Sequence, residues 1–389
     1  MTSETDTRSS IDDESTNLIP KQPDNSDSNK LFKNEIVCED GTIKVPGIVG
    51  RFTKRKVTEE DLYKEDEKEV IGATLGFSLA LVACYALDPK LFTPFVFLSY
   101  PVDNKPGYYN KGKADISMII QLISVILFLR AFVFRYFLYP LSRLCRITSF
   151  KLRVRFCEQG WQLIYGATSF ACGVYILKEN PEFAGFKEFW STYPLIEIPI
   201  SVKLFYIVQI SSWFSQVFTL FVEKKRKDFY IMLSHHIVSI SLLALAYCSN
   251  ITFFGIAVHA NMDAVDIFLP LSKMFKYMNF NFGVNTSFIA MFITWIYTRH
   301  YMLVKLIYSA FVEGPKQTEI TWNPATGQYY NTTVRYATFI LLSSLEILCI
   351  LWLSQICQVI ADIFKGHGTN DVRSEDEADQ PPKDKKKKE

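Results

Sequence analysis

The chain has 389 residues, 49% of them hydrophobic, and it contains 32 Phe and 20 Tyr. This composition is too apolar for a soluble domain, while the formal net charge of +2 is unremarkable, and we expect no nucleic-acid partner. The eight cysteines are scattered without a Cys-x-x-Cys pair, which argues against a disulfide framework and against a zinc site.

A polar segment opens the chain. Residues 1–40 are rich in Ser, Asp and Glu and lack an apolar h-region, so we expect the first span, and not a cleaved signal peptide, to target the protein. We predict that residues 1–65 form a disordered cytosolic segment, because they are too polar to bury a core. The charged tail, residues 366–389, is predicted to be disordered and cytosolic for the same reason.

Apolar runs follow the polar segment, and most of them approach or exceed the roughly 20 residues that cross a bilayer as a helix. We therefore predict an all-α polytopic membrane protein with about eight transmembrane helices, of which the third is the weakest. The predicted spans are 70–87, 116–141, 161–177, 203–222, 229–247, 251–271, 282–304 and 336–364. The first two belong to a segment that we place at 66–145.

Basic residues gather in every second loop. They follow the second span between Arg143 and Arg155, the fourth span at 224–227, and the sixth span at Lys273 and Lys276. Because cytosolic loops are enriched in Lys and Arg, this alternation predicts that both termini are cytosolic.

Two imidazoles and two carboxylates stand out inside the fifth and sixth spans, where ionisable groups are costly and are therefore functional candidates. His235 lies roughly 22 Å before a predicted tight turn at Asn250, and Asp263 and Asp266 lie roughly 20 and 24 Å after it, at ~1.5 Å of rise per residue. Antiparallel packing of the two helices places these groups, with His236, at one depth. The competing interpretation is a buried network in which these residues only satisfy one another.

Adjacent residues on a helix diverge by about 100°, so the two histidines cannot point the same way. His235 shares its helix face with Asp228 and Ser239, whereas His236 shares its face with apolar residues. We therefore favour His235 as the reacting group and His236 as a supporting one. The chain has too few clustered histidines for a di-iron oxygenase site, and we predict no metal.

The stretch around these residues resembles the longevity-assurance family of ceramide synthases, which carry the TLC domain. "KRKDF" at 225–229, "HHIV" at 235–238 and "MDAVDIFLPLSK" at 262–273 are similar to the family signature in order and spacing. The resemblance extends to "RVRFCEQGW", "FYIVQISSW" and "WIYTRHY". Two departures are visible: no homeobox-like segment is found, which favours a fungal-type member, and Met262 stands where many animal members have His.

The resemblance implies a barrel-like bundle of six helices within a TLC catalytic domain at 146–365, with the first two spans outside the bundle or against it. It also implies an endoplasmic-reticulum enzyme that transfers a fatty acyl group from acyl-CoA to the amine of a sphingoid base, sphinganine or phytosphingosine. Acyl-CoA is then a substrate, and no cofactor is expected. The implied partners are acyl-CoA, a sphingoid base, membrane lipid, a small single-span regulatory subunit and a second subunit in a homo- or heterodimer.

By the same resemblance His235, His236, Asp263 and Asp266 are catalytic. One histidine either carries the acyl group as an acyl-imidazole or acts only as a general base, and the sequence leaves both routes open. Further candidates are residues that could bind substrate. The intramembrane ones serve equally well as partners between helices, and the basic ones serve equally well as the positive charge that marks a cytosolic loop. These candidates are Trp295, Arg299, His300, Lys225, Arg226 and Lys227. The rival from another class is a non-enzymatic TLC-domain protein that binds or senses lipid or associates with the translocon.

Overall fold

The computed structural model describes residues 36–37, 42–46, 52–56, 58–222 and 228–364. Helices dominate these ranges. They are α1 (Glu59–Leu87), α2 (Pro89–Val96), α3 (Asp115–Leu144), α4 (Phe150–Glu179), α5 (Glu188–Ser191), α6 (Ile200–Val222), α7 (Phe229–Cys248), α8 (Thr252–Tyr277), α9 (281–317) and α10 (Thr332–Phe364). Two single-turn 3₁₀ helices lie at Pro181–Phe183 and Pro324–Thr326.

A small antiparallel sheet lies where the sequence predicts disorder. Strands β1 (Ile36–Val37), β2 (Thr42–Pro46) and β3 (Phe52–Lys56) pair in the order β1-β2-β3. These strands and the first turns of α1 lie within the segment 1–65, and the disorder of that segment as a whole stays a prediction. Strand β2 has a physical reason in the alternation of polar and apolar residues in "TIKVP", which suits an extended strand. The many polar residues on either side make this short pattern hard to recognise in the sequence. The predicted disordered tail, 366–389, lies outside the described residues.

Seven of the eight predicted spans fall within a long helix and the eighth, 251–271, begins one residue before α8, but fewer of these helices meet the length and hydropathy requirements of a membrane span. Six described helices, α1, α3, α6, α7, α8 and α10, are long and apolar enough to cross a bilayer, so the chain is a multi-pass membrane protein. Helices α4 and α9 are not among these six. The count of eight remains a prediction.

Six helices close a ring. Helix α4 contacts α8, α8 contacts α9, α9 contacts α10, α10 contacts α7, α7 contacts α6, and α6 returns to α4. Helix α3 packs on α6 from outside, and α2 packs on α3. Helix α1 is joined to α3 where Ser124 Oγ donates to the Thr74 carbonyl, at 2.9 Å. This arrangement is the predicted six-helix bundle with the first two spans against it.

Small residues bring α4 close to α8 at the level of the acidic residues. A Cβ atom on Gly166 would lie 3.1 Å from the Asp266 carbonyl oxygen, and one on Gly173 would lie 2.9 Å from Ala260 Cβ. Pro270 has no N–H to donate to that same Asp266 carbonyl. The sequence therefore makes the polar level of α8 a place of close backbone contact.

Helix α9 is irregular at the position that faces this level. A π-helical segment covers Tyr297–Met302, and the Thr298 carbonyl accepts a hydrogen bond at 2.7 Å from Asn261 Nδ2 on α8. Such π segments are frequent at functional sites because they re-aim side chains. Here the segment directs the adjacent residues Arg299 and His300 to different partners.

A buried ion pair joins α3 and α6 at the end of the bundle that carries the α7–α8 turn. The Lys203 ammonium is fully buried and lies 2.8 Å from Asp115 Oδ1, and it donates to the carbonyls of Ser99 and Asn110, both at 2.7 Å. Asp115 Oδ2 also accepts from the Tyr247 hydroxyl at 2.9 Å. The ammonium thus has two hydrogen-bond acceptors and an ion-pair partner, all within 2.8 Å, as a buried charge requires.

Candidate active site

A cavity lies inside the ring, lined mainly by α7, α8 and α10, with Trp213 of α6 and Arg299 of α9. One end of its lining is polar and the rest is mostly apolar. The polar end comprises His235, His259, Asp263, Asp266 and Arg299, and the apolar part includes Leu242, Ala246, Ile251, Phe254, Leu342 and Leu345. A site that is apolar along most of its length, with a few convergent polar groups, suits an amphipathic ligand with one reactive end.

His235 and His236 are separated by the helix as their sequence positions require. His235 lines the cavity together with Ser239, one turn further along the same face of α7, and its buried Nδ1 has no hydrogen-bond partner among the described residues. His236 does not line the cavity, and its Nδ1 lies 2.5 Å from the Met232 carbonyl. His235 is thus the histidine with an unused nitrogen beside empty space.

Aromatic rings clamp the His235 imidazole. Trp213 on α6 and Trp352 on α10 contact it edge-to-face, with ring centroids 5.1 and 5.2 Å away, and Trp213 also contacts His236 at 5.2 Å. Trp295 of α9 lies behind Trp352, at 6.5 Å. The clamp restricts how the His235 ring can turn, so its unused nitrogen has a fixed position.

Asp263 lines the cavity and is held in place by a chain of hydrogen bonds. Its side chain is 8% exposed, and Oδ2 accepts a short hydrogen bond from the hydroxyl of Ser169 on α4. Ser169 Oγ in turn accepts from Gln209 Nε2 on α6 at 2.6 Å, and Gln209 Oε1 accepts from the Tyr165 hydroxyl. Three helices of the ring therefore hold one carboxylate in place.

Asp266 differs from Asp263, since its side chain is 47% exposed. One oxygen lies 2.7 Å from Arg299 Nη2, which also donates to the Met262 carbonyl at 3.1 Å. The Arg299 guanidinium stacks 4.6 Å above the Trp295 ring, and its Nε finds no acceptor in the described part of the chain. The pair presents a carboxylate and a guanidinium to whatever enters the polar end.

The sequence-derived candidates therefore divide into three groups. His235, Asp263, Asp266 and Arg299 line one cavity, while Trp295 and His236 support its walls. His300 does not line the cavity and lies 2.6 Å from Glu346 on α10. The remaining candidates, Lys225, Arg226 and Lys227, lie outside the described residues.

Sequence reasoning missed several residues that complete the site, namely Ser169, Gln209, Tyr165, Trp213, Trp352 and His259. His259 is the most informative omission, because it lines the cavity and its Nδ1 lies 3.6 Å from Asp263 Oδ1. The available signal was the i, i+4 spacing of His259 and Asp263, which puts both on one helix face. Within the described ranges, no group of three His, Cys, Asp or Glu side chains is arranged to hold a metal ion.

Comparison with known proteins gives the fold and site a family. The TLC domain model matches residues 155–358, which contain every described residue of the polar end. The sphingosine N-acyltransferase lac1 of Schizosaccharomyces pombe is 33% identical over 340 residues, covering 85% of each chain. The ceramide synthase LAG1 of Saccharomyces cerevisiae is 31% identical over 303 residues, covering 76% of this chain and 72% of its own, and the ceramide synthase LOH2 of Arabidopsis thaliana is 30% identical over 235 residues, covering 57% and 74%. The chain therefore belongs to the TLC-domain family, within its branch of ceramide synthases and sphingosine N-acyltransferases.

Proposed function

We propose that the protein is a ceramide synthase that transfers a fatty acyl group from acyl-CoA to the amine of a sphingoid base. The observation that carries this proposal is a cavity lined at one end by Asp266, Arg299 and His235, whose Nδ1 has no hydrogen-bond partner among the described residues, and continued by an apolar arm. The names of the related proteins support the same reaction.

The apolar arm fits a fatty acyl chain. Along α7 it extends from His235 to Ala246, a rise of about 16 Å at ~1.5 Å per residue. Along α10 its lining residues are Thr338, Leu342 and Leu345, which repeat at helical spacing on one face. An acyl chain in this arm leaves its thioester carbon at the His235 end.

His235 supplies a nucleophile or a base for the acyl transfer. An imidazole nitrogen that attacks the thioester carbon forms an N–C bond as the C–S bond breaks, and the ring proton leaves with the thiolate as coenzyme A thiol. The sphingoid amine then attacks the acyl-imidazole, the amide bond forms, and the amine proton returns to the ring. In the alternative route the amine attacks the thioester directly.

Asp266 and Arg299 orient the reactants at the mouth of the arm. Asp266 is accessible from the cavity and carries the charge that attracts a sphingoid ammonium, whereas Arg299 fixes the carboxylate through its 2.7 Å contact. A fixed carboxylate beside the reacting group also stabilises the positive form of His235. His236 supports this arrangement through its contact with Trp213.

The setting of the reaction is proposed together with its chemistry. We place the protein in the endoplasmic-reticulum membrane with both termini cytosolic and the polar end of the cavity toward the cytosol, since α7 begins beside the basic run 224–227. Acyl-CoA and the sphingoid base are substrates, and no cofactor is required. A small single-span regulatory subunit and a second catalytic subunit, in a homo- or heterodimer, are proposed partners.

Purified protein tests the proposal directly. In detergent or nanodiscs it should form an N-acyl product from acyl-CoA and sphinganine, measured by mass spectrometry, and His235→Ala should form none while its thermal unfolding is unchanged. Active His235→Ala protein would contradict the assignment of the site. Binding of lipid without any product, under conditions where a related ceramide synthase is active, would favour a non-enzymatic lipid-binding protein.

A further inference from the structure

A third histidine belongs to the polar end of the cavity, one turn before Asp263 on α8. His259 is 7% exposed, and its buried Nε2 has no hydrogen-bond partner in the part of the chain that is described. A buried polar atom without a partner costs free energy, so its position beside a cavity indicates that a bound group completes its bonding.

The ring of His259 is held in a defined orientation. Its Nδ1 lies 3.6 Å from Asp263 Oδ1. Its ring contacts Phe205 in a T-shaped arrangement and Trp213 in a tilted one, with ring centroids 5.7 and 6.2 Å away. Asp263 is itself fixed by the hydroxyl of Ser169. At 3.6 Å the carboxylate lies near one imidazole nitrogen without a hydrogen bond to it, and the other nitrogen is unoccupied, an order of groups similar to that around a histidine general base.

His235 and His259 share one environment. Both line the same cavity, and both contact Trp213, with centroid distances of 5.1 and 6.2 Å. Two imidazoles that approach one cavity from different helices can each serve one of two reactants. His235 lies between Trp213 and Trp352, whereas His259 has the carboxylate, so the proton-accepting role suits His259 better.

We propose that His259 accepts the proton of the sphingoid ammonium, a role that rests on the proposed function. A long-chain amine is mostly protonated at neutral pH, since ordinary aliphatic amines have pKa values near 10. Nε2 of neutral His259 takes one proton from the ammonium, which frees the nitrogen lone pair for attack. The resulting imidazolium is stabilised by Asp263.

The remaining proton follows from the acyl transfer itself. When the free amine attacks an acyl-imidazole on His235, the amide N–C bond forms, the bond from the acyl carbon to the ring nitrogen breaks, and the second amine proton passes to that nitrogen. When the amine attacks the thioester directly, the second proton leaves with the thiolate. His259 therefore has the same task in both routes.

Titratable groups surround His259 on several helices, and each bears on its behaviour with pH. On α8 these are Asp263 and Asp266, on α7 His235, and on α9 Arg299, all of which line the cavity. On α4 the Tyr165 hydroxyl is connected to Asp263 through Gln209 and Ser169.

His259→Gln in the full-length protein tests the proposal, with Ser272→Ala as the control, because Ser272 is a buried polar residue of α8 that does not line the cavity. Turnover of His259→Gln at pH 7 should fall about 100-fold, the size expected for one general base. Between pH 7 and 9 the deficit should shrink roughly tenfold per pH unit, because solvent then supplies the free amine. The KM for acyl-CoA should be unchanged, and any acyl adduct on His235 should form at the wild-type rate.

Two results would overturn the role of His259. Turnover within a few-fold of wild type at pH 7 shows that the base lies elsewhere. A 100-fold deficit in turnover that is constant with pH shows that His259 is only structural. The same conclusion follows if acyl-adduct formation on His235 slows by the same factor as turnover. Wild-type protein that forms no ceramide would contradict the proposed function and this proposal with it. Active wild-type protein together with an unaffected His259→Gln variant would contradict this proposal alone, so the two failures are distinguishable.

Discussion

Two clusters of buried ionisable residues occupy the bundle, and they differ in how completely their polar atoms are paired. The ammonium of Lys203 has Asp115 and two carbonyls as acceptors, and Asp115 also accepts from Tyr247. At the polar end of the cavity, by contrast, the Nδ1 of His235 and the Nε2 of His259 have no partner among the described residues.

This difference separates structural charge from reactive charge. Both clusters are costly to bury, so their presence alone in a membrane segment does not identify a site. The Lys203 cluster is filled by its own neighbours and does not line the cavity of the bundle, whereas the His235 cluster leaves hydrogen-bonding capacity beside that cavity. Unused capacity beside a cavity is therefore the stronger indicator of function, and each cluster should respond to mutation in its own way.

The largest expected effect is on folding, in the paired cluster. Lys203→Met leaves Asp115 buried without its cation, which should lower the free energy of unfolding by about 3–5 kcal/mol. We expect little monodisperse protein in size-exclusion chromatography and a large drop in Tm. Lys178→Met, at an exposed position of α4, is the control. A Tm within two or three degrees of wild type would show that the pair is dispensable and would remove the contrast.

The unpaired cluster should respond in activity and not in stability. Asp266→Asn keeps the shape of the side chain and an amide oxygen that can accept from Arg299, so the buried guanidinium keeps a partner and the unfolding temperature should change by only a few degrees. Turnover should fall about 100-fold or more, as for other positioned carboxylates. Parallel measurement of product formation and Tm separates the two effects. Loss of Tm as large as in Lys203→Met would assign Asp266 to structure.

The apolar arm gives a third, intermediate effect. Thr338→Phe adds bulk to the α10 face that lines the arm, so the product profile should shift to shorter acyl chains, while turnover with short acyl-CoA remains within a few-fold of wild type. Competition among acyl-CoA species with mass-spectrometric detection measures this shift. Ile340→Phe, on the exposed side of the same helix, should leave the profile unchanged. An unaltered profile in Thr338→Phe would place the acyl chain elsewhere.

The smallest effect concerns Lys111, in the loop before α3, whose Nζ donates to the Leu195 carbonyl at 2.8 Å. Burial lowers the pKa of Lys111 from 10.5 to about 7. Between these values the unfolded chain binds the proton and the folded chain does not, so stability rises with pH. We expect Tm to increase by a few degrees from pH 7 to 9, and Lys111→Met to remove that part of the slope. An identical slope in both proteins would contradict this.

The sequence alone predicted the depth at which the ionisable residues lie in the bundle, because two quantities can be read from it. Apolar run length gives the spans, and the helical rise counted from Asn250 gives the depth of His235 and the two aspartates; the structure indeed turns at Asn250, between Cys248 and Thr252. The face argument also identified His235 as the histidine on the cavity side.

What the sequence could not reach depends on neighbours that are distant along the chain. Lys203 reads as a residue that extends to the membrane surface, because its partner Asp115 lies 88 residues earlier and nothing local pairs them. The π segment of α9, which sends Arg299 into the cavity and His300 to Glu346, depends on Asn261 of another helix. For His259 the spacing to Asp263 was readable, but its contact with Trp213 of another helix was not.

The most direct test of the reactive role of the unpaired cluster is the chemical state of His235 during acyl transfer. Purified protein exposed to acyl-CoA without sphingoid base, quenched rapidly and analysed by intact-mass and peptide mass spectrometry, should carry one acyl group on His235, and sphinganine should release it as ceramide. An acyl group on His236 would reverse the assignment of the two histidines. Full ceramide synthesis with no adduct on any residue would contradict an acyl-imidazole and leave His235 as a base.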